Sequence, residues 1–84
     1  MTTEALMKKL KGIVKPYVKS EEGFKNMTED SDFLNDLKIN SANLVDVILD
    51  IETEFDIIID NDSMEKMLNV QAAIEIITTK LSEK

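Results

Sequence analysis

The sequence contains no cysteine and no histidine. Their absence excludes disulfide bonds, thiolate nucleophiles, zinc sites built from these residues, and catalytic triads that use histidine. Carboxylates alone could still support an active site, but the side chain that most often exchanges protons near neutral pH is missing. If the protein takes part in covalent chemistry, we expect the reactive group to come from outside the chain.

Glycine and proline are scarce, with two and one respectively, so the chain has few of the breakers that punctuate all-β proteins. No apolar run is long enough to cross a bilayer, and the N-terminus lacks the apolar core of a secretory signal. We therefore expect a cytoplasmic protein that does not insert into a membrane. Its 84 residues suit one domain, spanning residues 1–84, and we expect a monomer.

Negative charge is in excess. Seventeen acidic residues stand against ten lysines, arginine is absent, and the net charge is −7. Nucleic acid is disfavoured as a partner because its phosphates would be repelled. A partner with a basic docking surface is favoured. The same acidity would also keep a small protein soluble, and charge alone does not separate the two interpretations.

Apolar residues at spacings of three and four predict an all-α fold. Three segments show this spacing, 3–19, 41–55 and 70–81, and residues 62–66 are interpreted as a short additional helix. Pro16 should bend or end the first helix, and Asn69 should cap the last. Residues 56–60 form a β-branched run that has no partner strand, so we interpret them as an extended linker.

The segment 20–40 is predicted to be a long loop with at most a short helical turn. Six scattered apolar side chains should hold it to the core: Phe24, Met27, Phe33, Leu34, Leu37 and Ile39. A loop of this length in so small a domain is uncommon and usually functional. The expected fold is thus a small four-helix bundle, with three main helices, one short helix, and a long loop between the first and second helices.

The second predicted helix separates an apolar face from an acidic one. Its core-facing positions are Leu44, Val47, Ile48, Ile51 and Phe55. Asp46, Asp50 and Glu54 recur every four residues on the opposite side, where like charges repel. This stripe weakly favours a basic partner over a plain solvated surface. Leu49 lies beside Ala42 and is flanked by Asp46 and Glu52, which resembles a small docking spot, although single exposed leucines are common.

Ser41 stands at the start of this helix, where two interpretations compete. Serine is a preferred N-cap residue, and most capping serines have no other role. Alternatively, a phosphodiester attached to Ser41 would benefit from the unpaired N–H groups and partial positive charge of a helix N-terminus. Asn40 could serve as the cap instead.

From Asp32 to about Ile77 the sequence resembles bacterial acyl carrier proteins without a gap. Four stretches carry the resemblance: residues 32–37 (DFLNDL), Ser41, residues 50–56 (DIETEFD) and residues 69–74 (NVQAAI). The last two, at this separation from the serine, are fairly specific together.

This resemblance implies a bundle of three main helices with a short extra one, and a carrier rather than an enzyme. A phosphopantetheinyl transferase would use magnesium and coenzyme A to attach 4′-phosphopantetheine to Ser41. The terminal thiol of that arm would hold acyl intermediates as thioesters for fatty acid, polyketide or related lipid biosynthesis. Acyl-transfer, ketosynthase and related enzymes would recognise the second helix at positions next to the serine and along its acidic side: Asn40, Ala42, Asn43, Asp46, Leu49, Asp50 and Glu52.

Several residues depart from the family pattern. The family usually shows Asp-Ser-Leu-Asp where this chain has Asn40-Ser41-Ala42-Asn43. A common glycine is replaced by Lys38, and a common proline by Asp60. These changes favour a specialised carrier over the housekeeping one. They also leave open an aminoacyl or peptidyl carrier, and a protein-interaction domain that is never modified.

A calcium-binding protein is the remaining alternative, suggested by the acidic runs 30–32 and 60–62. Neither run supplies the other ligands or the central glycine of an EF-hand loop, so we expect no dedicated metal site. Weak binding of divalent ions by the acidic surface remains an expectation.

Overall fold

Each helix of the protein begins behind a polar side chain that accepts a hydrogen bond from the first turn. The computed structural model describes residues 2–83, and in this range five α-helices form. They are α1 (Thr3–Val14), α2 (Glu21–Lys25), α3 (Ser41–Phe55), α4 (Asn61–Lys66) and α5 (Val70–Ser82). The capping residues are Thr2, Ser20, Asn40, Asp60 and Asn69, with contacts of 2.7 to 3.2 Å. These bonds satisfy N–H groups that have no partner inside the helix.

Proline ends the regular part of the first helix, as its position predicts. The α-helical hydrogen bonding of α1 stops at Val14, and a 3₁₀ turn over Lys15–Tyr17 contains Pro16. Because proline lacks an N–H, it is tolerated in the first turn of such a segment. The predicted bounds of α3 match the observed ones, and Asn69 caps α5 as expected.

The core forms where the apolar faces of α1, α3 and α5 meet. From α1 it takes Leu6, Leu10 and Val14; from α3, Val47, Ile48, Ile51 and Phe55; from α5, Val70, Ala73, Ile74 and Ile77. The core face predicted for α3 is confirmed, with Leu44 partly buried at its edge. This arrangement fixes the rotation of α3 and therefore determines which of its residues face solvent.

The segment between α1 and α3 combines a short helix, for which the sequence prediction allowed, with a contact to α5 that it did not predict. It contains α2, whose five residues are too few for apolar periodicity to reveal. The loop after α2 is fastened to the start of α5 by an isolated antiparallel bridge between Asp32 and Asn69. Flanking hydrogen bonds join Phe33 N–H to Leu68 C=O and Val70 N–H to Ser31 C=O, at 3.2 and 2.9 Å.

Most of the predicted loop anchors are confirmed, with one exception. Met27, Phe33, Leu37 and Ile39 are buried, and Phe24 is partly buried against the core. Leu34 is 38% exposed, so the prediction that it anchors the loop was wrong. A turn places its N–H on the Asp32 carboxylate, at 2.8 Å, and leaves its side chain at the surface.

Residues 57–60 form the linker predicted for 56–60, whereas Asp56 ends α3 in a left-handed conformation and is not extended. Ile57 and Ile59 are buried, while Ile58 between them is 80% exposed. Glu52 holds the linker, since its backbone C=O accepts from Ile57 N–H at 3.1 Å and its carboxylate accepts from Ile59 N–H at 2.9 Å. Within residues 2–83, no helix is both long enough and apolar enough to cross a bilayer.

Candidate functional site

Ser41 is the first residue of α3, and the segment leading to it is held in place by buried side chains. Leu37 and Ile39 are 0% and 2% exposed. Ile39 N–H donates to Phe33 C=O at 2.9 Å, and Leu37 C=O accepts from Lys19 N–H at 3.2 Å. The position of Ser41 is therefore set by the core and by the loop, not by its own side chain.

Asn40, and not Ser41, is the residue that caps α3. Asn40 has extended backbone angles, and its Oδ1 accepts from Ala42 N–H at 2.9 Å. Its C=O accepts from Asn43 N–H and Leu44 N–H, at 2.9 and 3.0 Å. Ser41 itself is exposed, and its hydroxyl has no hydrogen-bond partner among the residues that the structure describes. A hydroxyl so placed is accessible for covalent modification.

Lys38 has a backbone conformation that favours glycine. Its φ is 57°, in the left-handed region, which costs a residue with a Cβ about 1–2 kcal/mol. The structure thus explains why a glycine is common at this place in the family that the sequence resembles. Lys38 is exposed, whereas Leu37 and Ile39 on either side are buried. The lysine side chain therefore lies on the solvent side of the segment, as Ser41 does.

An exposed apolar stripe follows Ser41 along α3. It consists of Ala42, Val45 and Leu49, which share a face because they lie three and four residues apart. Val45 is 46% exposed and Leu49 is 50% exposed. The helical wheel identifies Leu49 and Ala42. Val45 was not predicted, although it lies about 100° from the core face on the same wheel, an angle that indicates exposure. Asp46 borders the stripe and is exposed.

The acidic stripe of α3 is divided between solvent and α1. The Asp50 carboxylate accepts from the Tyr17 hydroxyl at 2.9 Å, and Glu54 pairs with Lys9 at 3.4 Å. Asp46 has no ion pair among the described residues. Two of the three carboxylates of the acidic stripe therefore also join α3 to α1 or to the 3₁₀ turn that follows it, and neither contact is visible in the local sequence.

The contact with Asp50 changes the pKa of Tyr17. The hydrogen bond to Asp50 raises the pKa of the Tyr17 hydroxyl, and partial desolvation and the nearby carboxylate charges act in the same direction. A phenolate at this place would face Asp50 without a proton between them. The protonated tyrosine is therefore the form that holds the 3₁₀ turn against α3.

The predicted recognition residues fall into two groups. Asn40, Ala42, Asn43, Asp46 and Leu49 surround Ser41 or continue from it along the helix, whereas Asp50 and Glu52 bind other parts of the chain. Glu52 is only partly exposed and supports the linker after α3. A docking partner would meet the first group directly.

Neither acidic run forms a metal centre in the described structure. Asp60 caps α4 and lies 3.6 Å from Lys80, and hydrogen bonds from Ser63 followed by the Lys80 charge hold the pKa of Asp60 below its ordinary value. Asp32 accepts from the N–H groups of Leu34 and Asn35. In residues 2–83 no group of three or more acidic side chains is arranged to hold a metal ion.

Comparison with known proteins finds relatives that match over almost their whole length. The chain is 34% identical over 84 residues to an acyl carrier protein of Cyanidium caldarium, covering all of this chain and 95% of the relative. It is 32% identical to one of Petrotoga mobilis, covering 98% of this chain and 94% of the relative. It is also 32% identical to one of Coprothermobacter proteolyticus, covering both chains in full. No protein-family model matches the chain.

Proposed function

Since the chain belongs to the acyl carrier protein family, we propose that Ser41 carries a 4′-phosphopantetheine arm whose thiol holds acyl intermediates as thioesters. The protein is a non-catalytic carrier in acyl-chain biosynthesis. The observation that carries the proposal is that the residue capping α3 and the residue offering a hydroxyl are different. Asn40 caps the helix, which leaves the Ser41 hydroxyl exposed and unbonded.

The composition of the chain is consistent with an imported arm. There is no cysteine to provide a thiol, so the thiol of the proposed carrier would come from outside the chain, and coenzyme A is its source in this proposal. The transferase supplies the magnesium and the catalytic groups. The attached phosphodiester benefits from the partial positive charge at the start of α3.

Partner enzymes are proposed to dock on α3 beside the arm. The apolar stripe of Ala42, Val45 and Leu49 offers a contact for an apolar pocket, and Asp46 offers a charge for a basic rim. The partners are a phosphopantetheinyl transferase, acyl-transfer enzymes and ketosynthases. The contributions of Asp50 and Glu52 are smaller, because each also accepts a hydrogen bond from within the chain.

The neutral surroundings of Ser41 favour a specialised carrier. Asn40, Ala42 and Asn43 remove two charges and shorten an apolar contact relative to the family pattern. The transferase and synthase of a dedicated pathway, which makes a polyketide or a secondary lipid, would recognise this altered surface. An aminoacyl or peptidyl cargo is the alternative within the carrier class. The cytoplasmic location and the monomeric state stay predictions.

The first test is intact-protein mass spectrometry after incubation with coenzyme A, magnesium and a broad-specificity phosphopantetheinyl transferase. We expect the mass to rise by one phosphopantetheine in the wild type and to stay constant in Ser41→Ala. The control variant should fold normally, because Asn40 and not Ser41 caps α3. Failure with this enzyme and with every transferase of the source organism would contradict the carrier role and favour an unmodified interaction domain.

A further inference from the structure

Lys38 is the only charged residue between Asp36 and Asp46, in a chain whose net charge is −7. Lys38 is thus the charged residue nearest to Ser41 along the chain, and it is positive on a negative protein. We propose that Lys38 is a positioning residue, whose ammonium group pairs with the phosphodiester that joins the arm to Ser41. This inference rests on the proposed function and identifies a residue that orients the base of the arm.

The covalent geometry allows the contact. Lys38 and Ser41 are three positions apart in the sequence, so their Cα atoms are at most about 10 Å apart. An extended lysine side chain reaches roughly 6 Å from its Cα, and the phosphorus of a serine ester lies about 4 Å from its own, as ordinary bond lengths imply. Burial of Leu37 and Ile39 leaves Lys38 and Ser41 on the solvent side of the same segment. The ammonium and the phosphate are therefore within reach of each other when the two side chains extend towards one another.

The nearby carboxylates do not compete strongly for this lysine. The Asp36 carboxylate accepts from Asp32 N–H at 2.7 Å, which turns it towards the loop. Asp46 lies about 7 Å further along the axis of α3, five residues from Ser41. Lys38 has no ion pair among the described residues. A phosphodiester on Ser41 would be a nearby anionic partner for Lys38. Charge-assisted hydrogen bonds between an ammonium and a phosphate are stronger than those between neutral groups.

The test compares the phosphorus NMR resonance of the modified protein in four forms. These are the wild type, Lys38→Asn, Lys38→Arg and Lys8→Gln, each first shown by mass spectrometry to carry one arm. Asparagine removes the charge but accepts a left-handed backbone, so the variant should fold. Arginine keeps the charge. Lys8 is the matched control, because it lines the same surface groove as Glu54 near the other end of α3, and Glu54 lies about 20 Å along the helix axis from Ser41.

We expect the phosphorus resonance to shift in Lys38→Asn at low salt, and to match the wild type in Lys38→Arg and Lys8→Gln. The shift should vanish at high salt, because the contact is exposed and screened. An unchanged resonance in Lys38→Asn, or an equal shift in Lys8→Gln, overturns the inference and leaves the carrier function intact. Absence of the mass gain in the wild type overturns the proposed function, and this inference with it.

Discussion

Tyr17 is the only tyrosine of the chain and tryptophan is absent, so its ionisation can be followed in the near-ultraviolet spectrum. The hydrogen bond to Asp50 raises its pKa, and we expect Asp50→Asn to lower that pKa towards the ordinary tyrosine value. Since the folded pKa is raised, the contact stabilises the fold fully below the unfolded pKa and is lost as the pH rises through the folded one.

The control for this titration is Asp46→Asn. Asp46 raises the Tyr17 pKa through charge alone and less than Asp50 does, so its removal should lower the pKa less. A Tyr17 titration that is identical in the wild type and in Asp50→Asn would show that the hydrogen bond does not form in solution.

Single residues were predictable where a local pattern sufficed. Ser41 and Leu49 could be located because helix position and wheel angle depend only on nearby sequence. The Tyr17–Asp50 contact could not, since it joins residues 33 positions apart and depends on how α1 packs against α3. The left-handed Lys38 was signalled only by comparison with a family in which glycine is common.

The two glycines both lie in helices, and we expect their replacement by alanine to change the stability of the protein in opposite directions. At Gly12 in α1 an added Cβ meets nothing within 4 Å, so Gly12→Ala should stabilise the protein by up to about 1 kcal/mol. At Gly23 in α2 the same atom would fall on the Asp36 carbonyl oxygen, so Gly23→Ala should destabilise it by about 1–3 kcal/mol.

Urea unfolding followed by circular dichroism measures both changes, and each variant is the control for the other. Equal effects of the same sign would contradict the packing of α2 against the loop.

At the scale of whole helices, the sequence predicts long helices better than short ones. The apolar spacing located the longer helices, whereas the five residues of α2 contain little more than one turn, and the sequence predicted only that the loop could include such a turn.

For the whole molecule, the charge imbalance governs the response to ions. Seventeen acidic residues on a chain with a radius of gyration of 11.7 Å repel one another when it folds. We expect millimolar magnesium or calcium to raise the melting temperature by screening and weak binding. Because no acidic group in residues 2–83 is arranged as a metal centre, the rise should be graded and should not saturate at one equivalent.

The control for this measurement is sodium chloride at matched ionic strength. A melting temperature indifferent to the divalent ions would contradict the expectation, and saturation at one ion per chain would indicate a dedicated site. Composition alone predicted this property, because it depends on total charge. The all-α fold with three main helices also followed from the sequence, whereas the fastening of the loop to α5 required the folded chain.

The contacts between α1 and α3 have a practical consequence for handling the protein. Lys9 of α1 meets Glu54, and Tyr17 in the 3₁₀ turn that follows α1 meets Asp50, so α1 and α3 run in opposite directions where they touch. The start of α1 therefore lies towards the end of α3 that is remote from Ser41. A fusion tag or a sensor chip joined ahead of Thr2 would leave the serine facing outward, free for enzymes arriving from solution.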